Sequence, residues 1–191
     1  MKNRKTGLQS VQALCRMAIL TALYVVLTTT LSLKLPGDIR ITFASLPILL
    51  SAILYGPGEA AVIALVGEFL NQLLGGYGIT ATTALWCIPP AVRAVIVGTA
   101  ALVCRSGGRP LERRPVTCYV FCILGAMGTT VANTAVYWAD SMIYHYYTFA
   151  IVFGSFLWRL FTGVVTALVV TTLLLPVARF LRKQGYAREA G

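Results

Sequence analysis

Glu68, Arg93 and Arg159 are ionisable side chains set inside long apolar stretches of a 191-residue chain. At membrane depth such a group is costly unless it is paired or wet, so each marks a functional position. Asn71 and Gln72 follow Glu68 at i+3 and i+4, which puts a carboxylate and two amides on one helix face. Trp86 precedes Arg93 by seven residues, with Pro89 and Pro90 between, so that ring and guanidinium can face the same space. Asn133, Tyr137, Asp140 and Tyr144 recur at intervals of four, three and four, giving one polar-aromatic stripe. Arg40 opens a further apolar run. Together these groups suit a flat heteroaromatic ligand with an acidic tail: rings stack on Trp or Tyr, a carboxylate accepts from ring N–H groups, and arginines hold carboxylates bidentately. Two buried arginines against one glutamate leave a cationic surplus that fits an anion.

Other chemistries find less support. A structural ion pair between Glu68 and an arginine is the plainer alternative, and Trp138, His145, Tyr146 and Tyr147 also read as an interfacial aromatic belt. Five cysteines, Cys15, Cys87, Cys104, Cys118 and Cys122, lie in or beside apolar runs. Their odd number implies no disulfide framework, and no His or carboxylate cluster accompanies them, so they read as packing residues with no metal. An intramembrane enzyme using Glu68, Asp140 or His145 would need a motif such as HExxH or GxSxG, and none is present. No Walker-type loop is present either, so energy for uphill transport must come from a partner or an ion gradient. No cofactor is implied.

The elements that position these residues follow from composition. The chain is 58% hydrophobic and 12% charged, with a mean hydropathy of +0.78. Charge is thus about half the soluble average of roughly 25%, which excludes an ordinary soluble domain. Apolar segments fall at about 11–33, 41–55, 59–74, 83–104, 116–139 and 149–178, predicting one all-α polytopic membrane domain of six transmembrane helices. The second and third form a hairpin at Tyr55-Gly56-Pro57-Gly58-Glu59. Lys2, Arg4, Lys5 and Arg16 before or early in the first span, Arg105, Arg109, Arg113 and Arg114 in the fourth-to-fifth loop, and Arg179, Arg182, Lys183 and Arg188 at the end make twelve of the 16 basic residues. Six spans put all twelve on one side, predicting cytoplasmic N and C termini and explaining the +10 charge without nucleic acid. The first run is too long for a signal peptide and lacks a clear cleavage site. Ala18-Ile-Leu-Thr-Ala22, and Gly58 with Ala60, Ala61 and Ala64, permit close helix approach.

From Arg40 to Gly98 the chain carries Ile41-Thr42-Phe43-Ala44-Ser45-Leu46-Pro47, Leu54-Tyr55-Gly56-Pro57, Gly67-Glu68-Phe69-Leu70 and Pro89-Pro90-Ala91-Val92-Arg93. These stretches, the six-span layout and the size resemble the substrate-binding S components of energy-coupling factor vitamin transporters, closest to the folate-type members. The resemblance implies a non-catalytic receptor in the bacterial plasma membrane that docks onto a transmembrane coupling protein and two ATPases. It implies docking through Ala18 and Ala22, a ligand capped by the Ser32–Arg40 loop, and delivery inward by toppling in the bilayer. Queuosine precursor, riboflavin and pantothenate are the alternative ligands. A membrane assembly protein, which needs no polar cavity, is the alternative outside the family.

Overall fold

A computed structural model describes residues 2–35, 39–75 and 79–186, and within them every side chain except those of 2–10, 32–42 and 151. Six principal helices carry the chain: α1 (Lys2–Thr30), α2 (Ser45–Leu54), α3 (Pro57–Leu74), α5 (Ile88–Ser106), α6 (Pro115–Ile143) and α8 (Phe156–Lys183). Two short helices, α4 (Thr83–Trp86) and α7 (Phe149–Phe153), lead into α5 and α8. Strands β1 (Ser32–Leu35) and β2 (Ile39–Thr42) pair antiparallel between α1 and α2, with Ser32 opposite Thr42 and Leu35 opposite Ile39.

Proline starts three of the helices. Pro57, the Pro89-Pro90 pair and Pro115 sit in the first turns of α3, α5 and α6, where a missing N–H breaks no intrahelical bond. Val11–Thr30, Thr83–Ser106, Pro115–Ile143 and Phe156–Lys183 are long and apolar enough to cross a bilayer. Threonines within these runs return their hydroxyls to backbone carbonyls one turn back, as Thr130 does to Ala126 and Thr171 to Ala167, so their polarity is spent locally.

The helices differ from the apolar runs in three places, the first being run 83–104, which divides at Cys87 into α4 and α5. Run 41–55 is not one helix: its first residues belong to β2, and α2 begins at Ser45. The loop that ends at Arg40 is therefore part of a hairpin. Run 149–178 breaks at Gly154-Ser155, and its helical part extends to Lys183.

The basic residues gather at one end of the bundle and tie it together. Arg16 reaches both carboxylate oxygens of Glu59, at 3.3 and 3.4 Å, and lies 4.1 Å over the Tyr55 ring. Arg105 donates to the carbonyls of Ile53 and Leu54 at 3.0 and 2.9 Å, satisfying acceptors that the end of α2 leaves open. Arg182 pairs with buried Glu112, whose carbonyl also accepts from Arg179 at 2.8 Å. The first half of α1, the α2–α3 turn, the α5–α6 loop and the end of α8 thus share one end, as alternating threading requires.

α2 lies at the centre, with nine of its ten residues buried. Ala60 and Ala64 of α3 and Ala94, Val97 and Ala101 of α5 join the same core. At Gly98 the backbones of α5 and α3 come close together: a Cβ there would lie 2.5 Å from the Pro57 Cα. Gly58 differs from its neighbours in the small-residue pattern: a Cβ there meets nothing within 4 Å, whereas Ala60 and Ala64 are wholly buried.

Candidate functional site

Glu68 projects from the middle of α3, and the residues around it hold both of its oxygens. Tyr24 of α1 donates its hydroxyl to Oε2 at 2.5 Å, while Asn71 and Gln72 donate to Oε1 at 3.2 and 2.9 Å. The i+3 and i+4 spacing produces the carboxylate-amide face as read from the sequence. The donors, however, are neutral groups and not an arginine, so among the described residues Glu68 is not consumed in a structural ion pair. Gly67 makes room for the Tyr24 ring, since a Cβ there would lie 2.6 Å from the ring's Cδ1.

Arg93 enters from the second turn of α5. Its Nε donates to Thr129 Oγ1 of α6 at 3.1 Å, and Thr129 in turn donates to the Gly125 carbonyl. Gly125 lets the arginine stem lie against α6: a Cβ there would be 3.3 Å from the Arg93 Cγ. Among the described residues, no carboxylate is within ion-pair distance of Arg93.

A second, aromatic group is built from α4, α6 and the start of α8. Trp86 meets Tyr137 edge-on at 5.9 Å, and Tyr137 meets Tyr146 edge-on at 6.4 Å. The Arg159 guanidinium lies 5.5 Å from the Tyr137 ring centre and donates to the Val152 carbonyl of α7 at 2.9 Å. Tyr146 donates to Asp140, and burial, then the Asp140 carboxylate, push its phenol pKa up, so it stays the donor throughout the neutral range.

The structure therefore brings together Glu68, Asn71 and Gln72 with Tyr24, holds Arg93 on Thr129 of α6, and gathers Trp86, Tyr137 and Arg159, with Asp140 reached through Tyr146. Asn133 is half-buried on α6, one turn before Tyr137. Tyr144 does not join: α6 ends at Ile143, and Tyr144 caps it, 46% exposed. The stripe thus stops at Asp140, and Tyr146, assigned above to an aromatic belt, takes the next place. Asp140 adds a second carboxylate to the candidate residues, held by Tyr146. Arg40 lies in β2, and its side chain is outside the described residues. Ala18 and Ala22 are exposed on α1, in line with exposed Val11, Leu14 and Val26.

Sequence reasoning missed Tyr24 and Thr129. Tyr24 had a signal, since a phenol inside an apolar helix needs an acceptor when buried. Thr129 had none, being one of many span threonines.

A family model described as "ECF-type riboflavin transporter, S component" matches residues 8–179. No curated protein matches the chain. A solved S component of a bacterial ECF transporter superposes with a TM-score of 0.64 at 20% identity, covering 90% of this chain and 98% of that one. ThiT from Listeria monocytogenes superposes with a TM-score of 0.68 at 16% identity, covering 92% and 97%. At these identities the structural likeness speaks for the fold.

Proposed function

The chain belongs to the ECF-type riboflavin transporter S-component family, and from that premise we propose that it is the receptor for a planar heteroaromatic vitamin with an acidic tail, folate first. The observation that supports this most is Arg93, a cation with Thr129 as its hydrogen-bond partner and no carboxylate at ion-pair distance among the described residues. A ligand carboxylate completes it. The ring then lies between the Glu68 amide face and the Trp86–Tyr137 pair, with Arg159 closing the far side. No residue acts as a catalyst in this reading. Riboflavin is the second reading, favoured by the description of the matching family, and its uncharged flat ring makes the same aromatic contacts without needing Arg93.

The experiment is a tryptophan fluorescence titration of detergent-purified protein with each vitamin, checked by calorimetry. Saturable one-to-one binding of folate supports the first reading. Binding of riboflavin alone replaces it with the second, and binding of neither removes the proposed site.

In this reading the ends rich in arginine face the cytoplasm, and α1 presents Ala18 and Ala22 to a transmembrane coupling protein served by two ATPases. Exposure of both alanines means that a bulky side chain there meets no part of this chain's core. Ala18→Trp should lower uptake by at least about tenfold and abolish co-purification with the coupling protein, because a ring at a close helix contact overpacks it. Ligand affinity and thermal midpoint should stay at wild-type values. Uptake at the wild-type rate would place the docking face elsewhere on the bundle.

A further inference from the structure

α1 and α3 run side by side in the same direction, joined by two polar rungs. Arg16 and Glu59 form the one at the basic end, and Tyr24 and Glu68 form the one inside. The rungs are eight residues apart on α1 and nine on α3, about 12 and 13.5 Å at 1.5 Å per residue, so they hold the helices in one register.

The inner rung has the features of a positioning contact. Tyr24 is 6% exposed, and its ring fills the space that Gly67 leaves open. Its hydroxyl therefore cannot swing away to another acceptor. An ionised carboxylate offers about four acceptor sites. Tyr24, Asn71 and Gln72 occupy three of them, which leaves one, on Oε2, the oxygen that Tyr24 holds. Because all three donors are neutral, the charge of Glu68 is kept while its direction is set.

We propose that Tyr24 is the positioning residue for Glu68, aiming the open site on Oε2 so that the carboxylate accepts one N–H or O–H from the ligand's ring edge and not a bidentate pair. This rests on the reading of Glu68 as a ligand contact. It assigns a vitamin-recognition role to a residue of α1, the helix whose outer face carries Ala18 and Ala22. It also makes ligand selection depend on a single donor at the ring edge.

The test is a double-mutant cycle with Tyr24→Phe and Glu68→Gln, read as ligand affinity and thermal midpoint, using folate and riboflavin as probes. Phenylalanine keeps the ring against Gly67 and removes only the hydroxyl. Tyr24→Phe should weaken binding about tenfold, as expected for a lost hydrogen bond to a charged group, with the midpoint nearly unchanged. In the Glu68→Gln background the same change should cost no further affinity. A purely structural tyrosine would instead lower the midpoint and leave affinity alone, or lower affinity equally in both backgrounds, and either result overturns the proposal. A wild-type protein that binds neither vitamin ends the receptor reading itself, whereas wild-type binding that Tyr24→Phe leaves intact ends only the role of Tyr24.

Discussion

Gly98→Val should yield no folded protein on size-exclusion chromatography in detergent, and Gly98→Ala should yield protein with a sharply lowered thermal midpoint. A Cβ at Gly98 lies 2.5 Å from the Pro57 Cα, 2.7 Å from its nitrogen and 2.8 Å from its Cβ. Two of those three are main-chain atoms, so no side-chain rotation relieves the clash. Nor can the turn retreat easily. Gly56 holds it at φ 102, and Arg105 fastens the carbonyls of Ile53 and Leu54 just before it. α5 must then move off α3, opening the core where Ala60, Ala64, Ala94, Val97 and Ala101 are buried. Overpacking of this kind costs about 1–3 kcal/mol and sometimes more, and a rigid backbone partner puts Gly98 at the upper end. Gly58→Ala is the control: it lies in the first turn of α3 with open space around it, and should be neutral or stabilising by up to about 1 kcal/mol. A Gly98→Ala protein that melts with the wild type would mean that α3 and α5 do not meet at Pro57.

Arg93→Met should weaken folate binding by at least about 100-fold, or about 2.7 kcal/mol, while the protein remains folded. Methionine replaces the stem that lies against Gly125 and removes the guanidinium. Taking away a half-buried cation that has no carboxylate partner among the described residues relieves part of a desolvation cost, so the thermal midpoint should hold or rise. The loss falls on the ligand, whose carboxylate would be left buried and unmatched, a situation worth roughly 2–5 kcal/mol in buried charge pairs. Arg93→Lys should fall between, since an ammonium gives charge without the planar fork. The titration described above measures both. Folate binding within threefold of wild type in Arg93→Met would remove the arginine from the site, and with it the reason to prefer an anion over riboflavin.

Much of this was legible in the chain itself. Helical spacing alone placed Asn71 and Gln72 on Glu68, because i+3 and i+4 neighbours meet whatever surrounds them. The positions of Trp86 and Tyr137 were legible as types, but their edge-on contact depends on α4 turning before α5, which Pro89 and Pro90 hint at without specifying. Tyr144 shows the limit of periodicity: the stripe continues on paper past the point where the helix ends. The β1–β2 hairpin was hidden because Leu33 and Ile41 read as the ends of the flanking apolar runs, while Leu35 and Ile39 fell in the Ser32–Arg40 loop between them. What the spacing could not reveal was the partner of each charge across helices, for Tyr24 and Glu68 are 44 residues apart and Arg93 and Thr129 are 36 apart.

The burial of α2 bears on how the chain enters a membrane during synthesis. Ten residues make a helix of about 15 Å, half of a hydrocarbon core of about 30 Å. Such a segment has neither the length nor a lipid-facing side with which to leave the insertion machinery as an independent span. Its nine buried residues become favourable only when α3, α5 and α8 already surround it. Assembly by separate insertion of each helix followed by association therefore fails at the centre of this bundle. The α2–α3 hairpin must wait, sheltered by protein or headgroups, until synthesis has reached α8 at residue 183. Chains truncated before that point should be degraded, and the last helix to emerge is the one that commits the first half of the molecule to its place.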